Sequence, residues 1–275
     1  MIRLKTSFFA PAALALLLAS SVGAFAQQDD QPKPPRQSWT FSGFFGTYDP
    51  AQLQRGFEVY KDVCSTCHRL SIPFRTLDEP GGPGYSSAQV KALAATYQVT
   101  NEEPNDKGEI FKRPGIPSDL FPPPDAYPND QAAAAAFGKT PPDMAQLAKA
   151  RKYERGFPWF IFDALPFVQY QELGPDYIYG ILNGYTKADD AQWNLYYPGH
   201  KIAMPKPLTD GAVEYKDGTP ATVANYAKDV ASFLSWVSEP TLAERKKIGL
   251  RVMVFLFVLS ALLYFTKKKI WSDLH

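Results

Sequence analysis

Residues 64–68 read Cys64-Ser65-Thr66-Cys67-His68, and this stretch decides how the rest of the sequence is understood. Two thiols stand at positions i and i+3 with an imidazole at i+4, and the chain contains no other cysteine. On a helix those positions share a face, so both thiols can form thioethers with the vinyl groups of a haem while His68 meets the iron. A redox-active dithiol is the obvious rival, since an exported compartment permits disulfides, but the strand-then-helix setting it needs is missing. A structural zinc site wants four ligands, and the chain offers two Cys and three His in all. The motif predicts one covalently bound haem c.

Upstream of the motif, Asp49-Pro50 signals a helix start, an N-cap followed by proline at the first helical position, with Gln52 placed to close a capping box. Leu53, Phe57, Tyr60 and Cys64 then recur at helical spacing on one face. Downstream, Glu79 to Thr140 is dense in Pro, Gly, Asn and Asp, so it reads as long ordered loops with short helices near Ser87 to Tyr97 and Gln131 to Phe137. Further helices are predicted for Pro141 to Tyr153, Pro175 to Leu182, and Pro220 to Val237 with Thr219 as cap. Strand signals are sparse. The expected fold is mainly α, a c-type cytochrome domain with long ordered loops around one haem, plus a single C-terminal transmembrane helix.

Both ends of the chain carry membrane signals. Arg3 and Lys5, an apolar core from Phe8 to Leu18 and Ala24-Phe25-Ala26 read as a secretory signal over residues 1–26. Gln27 to Arg36 is polar and proline-rich, a composition that favours an extended solvated arm. Ile248 to Thr266 is almost wholly apolar and long enough to span a bilayer, with lysines at both ends and Arg251 placed to snorkel. Thr241-Leu242-Ala243-Glu244 is a capping box that starts a helix running to about Trp271. Export of the N-terminus puts residues 27–240 on the periplasmic side as the haem domain, residues 241–271 in a helix that includes the anchor, and residues 272–275 in the cytoplasm. Lys and Arg number 29 against 28 Asp and Glu in 275 residues, a balance that makes no case for a nucleic-acid partner.

A second axial ligand decides whether such a haem carries electrons or works on a bound substrate, and a thioether suits a carrier because it raises the potential. Met253 lies inside the span, Met144 sits in the first turn of a predicted helix as core packing, and His200 would give bis-histidine ligation. Met204 is the favoured candidate, in Ile202-Ala203-Met204-Pro205-Lys206-Pro207, where prolines stiffen the loop that would hold sulphur against iron.

At this point the ordered series of segments resembles one family, cytochrome c1, the haem subunit of the quinol:cytochrome c oxidoreductase. The series runs from Trp39 to Tyr48 through Leu53-Gln54-Arg55-Gly56-Phe57-Glu58-Val59-Tyr60-Lys61, then Pro104-Asn105-Asp106 and Phe111-Lys112-Arg113-Pro114-Gly115. It continues with Pro141-Pro142-Asp143, Tyr197-Pro198-Gly199 and Asp217-Gly218-Thr219-Pro220-Ala221-Thr222, and ends in the anchor. The resemblance implies that Met204 is the sixth iron ligand and that Arg113 lies beside the haem propionates, with Asn105 and Tyr127 as weaker candidates for the same shell. It implies partners as well: cytochrome b, a Rieske iron-sulphur subunit that delivers electrons, a soluble or tethered cytochrome c that accepts them, and the lipid bilayer of a bacterial inner membrane.

Glu102, Glu103 and Asp106 are candidates for steering a basic cytochrome, although a solvated acidic loop is the plainer reading. The aromatic stretch Gly156 to Leu173 departs from mitochondrial members of the family, and packing on the haem domain, the membrane surface or a neighbouring subunit would account for it. Outside the subunit reading stand a free-standing tethered cytochrome, a haem enzyme with an open sixth position, and a tethered thiol oxidoreductase.

Overall fold

The helix expected ahead of the haem motif forms as α1, Pro50–Asp62, in a computed structural model that describes residues 32–101, 103–127, 129–153, 158, 162 and 172–272. The signal segment, Glu102 and most of the aromatic stretch 156–173 lie outside the described residues. Asp49 caps α1 by accepting from the Ala51 amide at 3.1 Å, and Pro50 occupies the first turn, where no amide is needed. Gln52 does not close the expected capping box. Its side chain is buried and donates instead to Asp229 Oδ1 at 3.1 Å, a tertiary bond that displaces the local one.

Leu53, Phe57, Val59 and Tyr60 form the buried stripe of α1, each contributing roughly 1.5–3 kcal/mol by burial. They pack on the helix Val223–Ser238, whose Tyr226, Val230, Phe233, Leu234 and Trp236 are almost wholly enclosed. Gly56 sets the distance between these two helices, because a Cβ there would lie 2.2 Å from the Asp229 carbonyl oxygen and 2.7 Å from Phe233 Cβ. Beside that contact Arg55 donates to both Asp229 at 2.8 Å and Asp217 at 2.7 Å. The helix starts three residues later than expected, capped by Thr222 rather than Thr219. The Thr219 amide is taken up by Asp217 Oδ1 in a tight turn at Gly218, φ +79°, which leaves the next threonine to cap.

Between these partners the chain runs as loops punctuated by short elements. Helix α2, Ser87–Ala95, carries a Ser86/Gln89 capping box. An antiparallel pair follows, β1 Gln98–Thr100 and β2 Lys112–Pro114, with Val99 opposite Arg113. Helix α3, Asp130–Phe137, is capped by Asn129 and closed by Gly138 at φ +75°. The helix expected over Pro141 to Tyr153 shrinks to a 3₁₀ turn, Met144–Gln146, and α4, Leu147–Ala150. Pro141 and Pro142 hold the chain extended, and the Asp143 carboxylate accepts the Ala145 amide, so helical bonding starts only after it. Helix α5, Leu173–Asn183, packs on Val223–Ser238, which is hereafter α6.

In the described part of the proline-rich arm Lys33, Pro35 and Arg36 are exposed as expected, but Pro34 and the residues that follow the arm are docked. Pro34 is buried against Gly180 of α5, and both the Gln37 amide and Trp39 Nε1 donate to Asp176 Oδ1, at 3.0 and 2.8 Å. Composition alone could not foresee a buried carboxylate waiting for those donors.

The last element, α7, Leu242–Ser272, is 31 residues long, with a mean hydropathy of 2.3 in its most apolar window. At 1.5 Å per residue it reaches about 46 Å, enough to cross a bilayer and emerge on both sides. Replacing Gly56 with Ala forces α1 off α6. Thermal or urea unfolding of Gly56→Ala should show a loss of about 3 kcal/mol, at the upper end for overpacking, whereas a surface helix alanine would be neutral.

Candidate haem site

Helix α1 stops at Asp62, where Val63 leaves helical geometry (φ −120°) while its amide still bonds to the Val59 carbonyl. The Cys-x-x-Cys-His spacing is therefore met by a separate tight turn, Cys64–Thr66, rather than by continuing α1. The amides of Cys67 and His68 both donate to the Cys64 carbonyl, at 3.1 and 2.8 Å, which folds the two cysteines and the histidine around one point. Both thiols are free, with Cys64 buried and Cys67 half-buried. Burial, and secondarily Cys67, pushes the Cys64 thiol up to about 12, so it stays protonated and lacks the thiolate character of a disulfide-exchange nucleophile.

His68 is held from three directions. Its Nδ1 lies 2.9 Å from the Pro142 carbonyl, which requires the ring proton on Nδ1 and leaves Nε2 with its lone pair as the ligating nitrogen. The Tyr60 hydroxyl donates to the His68 carbonyl at 3.3 Å. The Met144 amide donates to the Arg69 carbonyl at 2.9 Å, and the Ser71 hydroxyl bonds to Asp143, so segment 68–71 is stitched to segment 142–144. Burial lowers the His68 pKa, against a smaller opposing effect of the Pro142 hydrogen bond, and keeps the imidazole neutral, the form that binds metal. Sequence reasoning named Pro141-Pro142-Asp143 only as part of a family pattern and missed its role here. Consecutive prolines, which present carbonyls without amides, were the available signal.

The remaining candidates separate clearly. Tyr127 is brought to the motif: it is buried, meets Phe137 edge-on at 6.0 Å between ring centroids, and donates to the Cys67 carbonyl. Met204 is half-buried and packs against the main core, with its carbonyl accepting from the Tyr185 hydroxyl at 2.9 Å. His200 adopts φ +59°, stacks on Trp193 at 5.3 Å and engages the Asn194 carbonyl through Nδ1 at 3.1 Å. Met144 is core, as expected. Arg113 sits on β2 in a two-pronged pair with Asp119, at 2.6 and 2.9 Å, and donates to Asn101 Oδ1 at 3.0 Å. Asn105 is spent on its own loop, accepting the amides of Lys107 and Glu109 at 2.9 and 3.0 Å. Glu103 and Asp106 are exposed on that loop.

This donor set fits a haem: two free thiols in one turn, and a buried imidazole whose Nδ1 is locked by a backbone carbonyl. Among the described residues no group of three or more His, Cys, Asp or Glu is placed to hold a metal ion.

Two outcomes test this framework. Tyr127→Phe removes the hydroxyl that reaches the Cys67 carbonyl and should lower the urea unfolding stability of the haem-loaded protein by about 1 kcal/mol. The Arg113 guanidinium holds the Asp119 carboxyl below the usual carboxylate range. A lowered folded-state pKa gives stability above the unfolded value that is lost as pH falls. The unfolding midpoints of the wild type and Asp119→Asn should accordingly differ at neutral pH and converge as pH drops below about 4.

Comparison with known proteins shows the family. The Cytochrome C1 family model matches residues 39–274. A cytochrome c1 of Blastochloris viridis is 44% identical over 98% of this chain and 96% of its own length, and one from Rhodospirillum rubrum is 40% identical over 86% and 87%. A cytochrome b/c1 of Bradyrhizobium diazoefficiens is 52% identical over 96% of this chain, which spans only 39% of that longer protein. With the match covering nearly the whole described chain and both halves of the haem motif's surroundings, the chain belongs to the cytochrome c1 family.

Proposed function

We propose that this chain carries one haem bound through thioethers to Cys64 and Cys67 and ligated by His68 Nε2 and the Met204 sulphur, and that it relays single electrons from a Rieske iron-sulphur subunit to a soluble or tethered cytochrome c. As a cytochrome c1 it is a redox subunit of the cytochrome bc1 complex, with no active site of its own. The haem supplies a one-electron iron couple, and a thioether ligand sets its potential high enough for a terminal carrier. The observation that carries the reading is the His68–Pro142 bond, which fixes the ring proton on Nδ1 and offers Nε2 beside two unbridged thiols.

Each surrounding residue has a task. Pro142 orients the imidazole, and Tyr127 holds the carbonyl of the second attachment cysteine. Arg113 would be the residue that meets the propionates, its guanidinium oriented and its charge partly offset by the two-pronged pair with Asp119; Asn105 shapes the loop leading to it. Support for Met204 over His200 comes from packing: Met204 lies against the core, whereas the His200 ring is stacked on Trp193.

Cytochrome b is the neighbour this reading places beside the anchor, and a relative named cytochrome b/c1 supports that pairing. The chain is membrane-anchored, with α7 as the segment long and apolar enough to cross. In this proposal residues 1–26 are removed on export, the haem domain faces the periplasm, and residues beyond the span meet the cytoplasm.

The test is a reduced optical spectrum with a potentiometric titration of the membrane-bound protein beside Met204→Leu. Loss of the thioether should lower the potential by on the order of 100 mV or more while the covalent haem remains. An unchanged potential would move the ligand to His200 or Met144 and overturn the assignment.

A further inference from the structure

The segment 192–202, which leads into Met204, is a narrow arm folded back on the end of α5. The Ile202 amide bonds to the Gln192 carbonyl at 3.0 Å and the Asn194 amide to the His200 carbonyl at 2.9 Å, with Trp193 opposite Lys201. At the tip the His200 amide closes a turn on the Tyr197 carbonyl at 2.8 Å, with Gly199 at φ +72°. His200 follows in the left-handed region at φ +59°, the one non-glycine residue among the described residues to do so. Histidine enters that region more readily than most residues, yet its Cβ still opposes it, so the conformation needs support from outside the backbone.

Two contacts of the ring supply that support. The imidazole stacks on Trp193, with 5.3 Å between centroids and 17° between planes, and Nδ1 donates to the Asn194 carbonyl at 3.1 Å. The Lys187 ammonium also lies over the Trp193 ring, 4.3 Å from its centroid. Behind this clamp Asn194 is fully buried, its side-chain amide donating to the Ile181 carbonyl at 2.7 Å and its oxygen accepting the Tyr196 amide at 3.1 Å. Gly184 makes room for it, because a Cβ there would lie 2.4 Å from Asn194 Oδ1. The Asn194 side chain also hydrogen-bonds the Tyr185 hydroxyl, which itself donates to the Met204 carbonyl at 2.9 Å. A chain of contacts therefore runs from the His200 ring through Asn194 and Tyr185 to the backbone of Met204.

We propose that His200 and Trp193 are positioning residues for the sixth iron ligand: their stack pins the arm in its strained turn, and Asn194 and Tyr185 pass that constraint to Met204. A neutral thioether keeps its place on iron against competing ligands only if its loop has little freedom left to lose, which a pre-set arm provides. The inference rests on Met204 being the ligand, and it gives His200 a task beside the metal instead of on it.

The haem-loaded, membrane-bound protein tests this with imidazole as the competing ligand, read by the thioether-to-iron band of the oxidised spectrum. Trp193→Ala and His200→Ala should each lose half of that band at roughly tenfold less imidazole than the wild type. Trp193→Phe keeps a ring to stack on and should stay within about twofold of the wild type. His200→Asn separates ring from backbone, since asparagine accepts the left-handed region, and it should behave like His200→Ala; as the milder change it also stands in should an alanine variant fail to load haem. A merely structural role would lower the urea unfolding midpoint without moving the imidazole midpoint, and that outcome overturns the proposal. Wild-type behaviour of His200→Asn overturns it too, because the backbone alone would then suffice. Met204→Leu keeps the two readings apart. If that variant retains the band, the sulphur is not the ligand and the proposal falls with it; if it loses the band while the clamp variants bind imidazole as the wild type does, Met204 stands and only the positioning role is overturned.

Discussion

Everything in the haem domain hangs on the approach of α1 to α6 at Gly56. The two helices touch backbone to backbone because one position lacks a Cβ, and the contact is locked laterally by Arg55 and Gln52, both bound to the buried carboxylate of Asp229. A buried carboxylate costs free energy unless its hydrogen-bonding capacity is filled, and here two donors from α1 fill it. Arg55 also reaches Asp217, so the turn that starts α6 is tied to the helix that ends at the haem motif. The direction in which α1 delivers Cys64 is thus set by residues more than a hundred positions away in the chain.

From that frame the site is assembled by backbone carbonyls more than by charged side chains. His68 is oriented by the Pro142 carbonyl, Tyr60 holds the carbonyl of His68, Tyr127 that of Cys67, and Tyr185 that of Met204. Three tyrosine hydroxyls thus hold three backbone oxygens, two of them in the Cys64–His68 segment, without adding charge of their own. Arg113 stands further out, on β2, where Asp119 and Asn101 fix its plane, while Arg69 beside His68 pairs with Asp130 at 3.6 Å.

The haem motif, the anchor and the helices preceding and following the loops were legible in the sequence because each is a local signal: spacing of donors, an unbroken apolar run, an N-cap with proline. What escaped was decided by distant partners. Gln52 has the spacing for a capping box and is claimed by Asp229; Thr219 has the identity of a cap and is claimed by Asp217; Pro34 has the company of a solvated arm and is claimed by α5. The shortened helix after Pro142 belongs to the same class, since Asp143 turns its carboxylate to both Ser71 and Ala145. In the candidate site, Tyr127 could be named from the sequence but its target could not, because no pattern in residues 67 and 127 announces that they meet.

The burial of Cys64 also orders events in time. Its side chain is enclosed by the same core that α1 and α6 create, and those helices are joined only after more than 150 intervening residues have been made. Contacts so distant in sequence close slowly, which leaves an interval in which the motif is exposed. The proposed thioethers need access to both sulphurs, so on that proposal the haem would be attached during that interval, to a chain still open at the α1–α6 seam. The closing of the seam would then be a point of no return in biogenesis: under that proposal, a chain that collapses before receiving its haem has hidden the Cys64 sulphur.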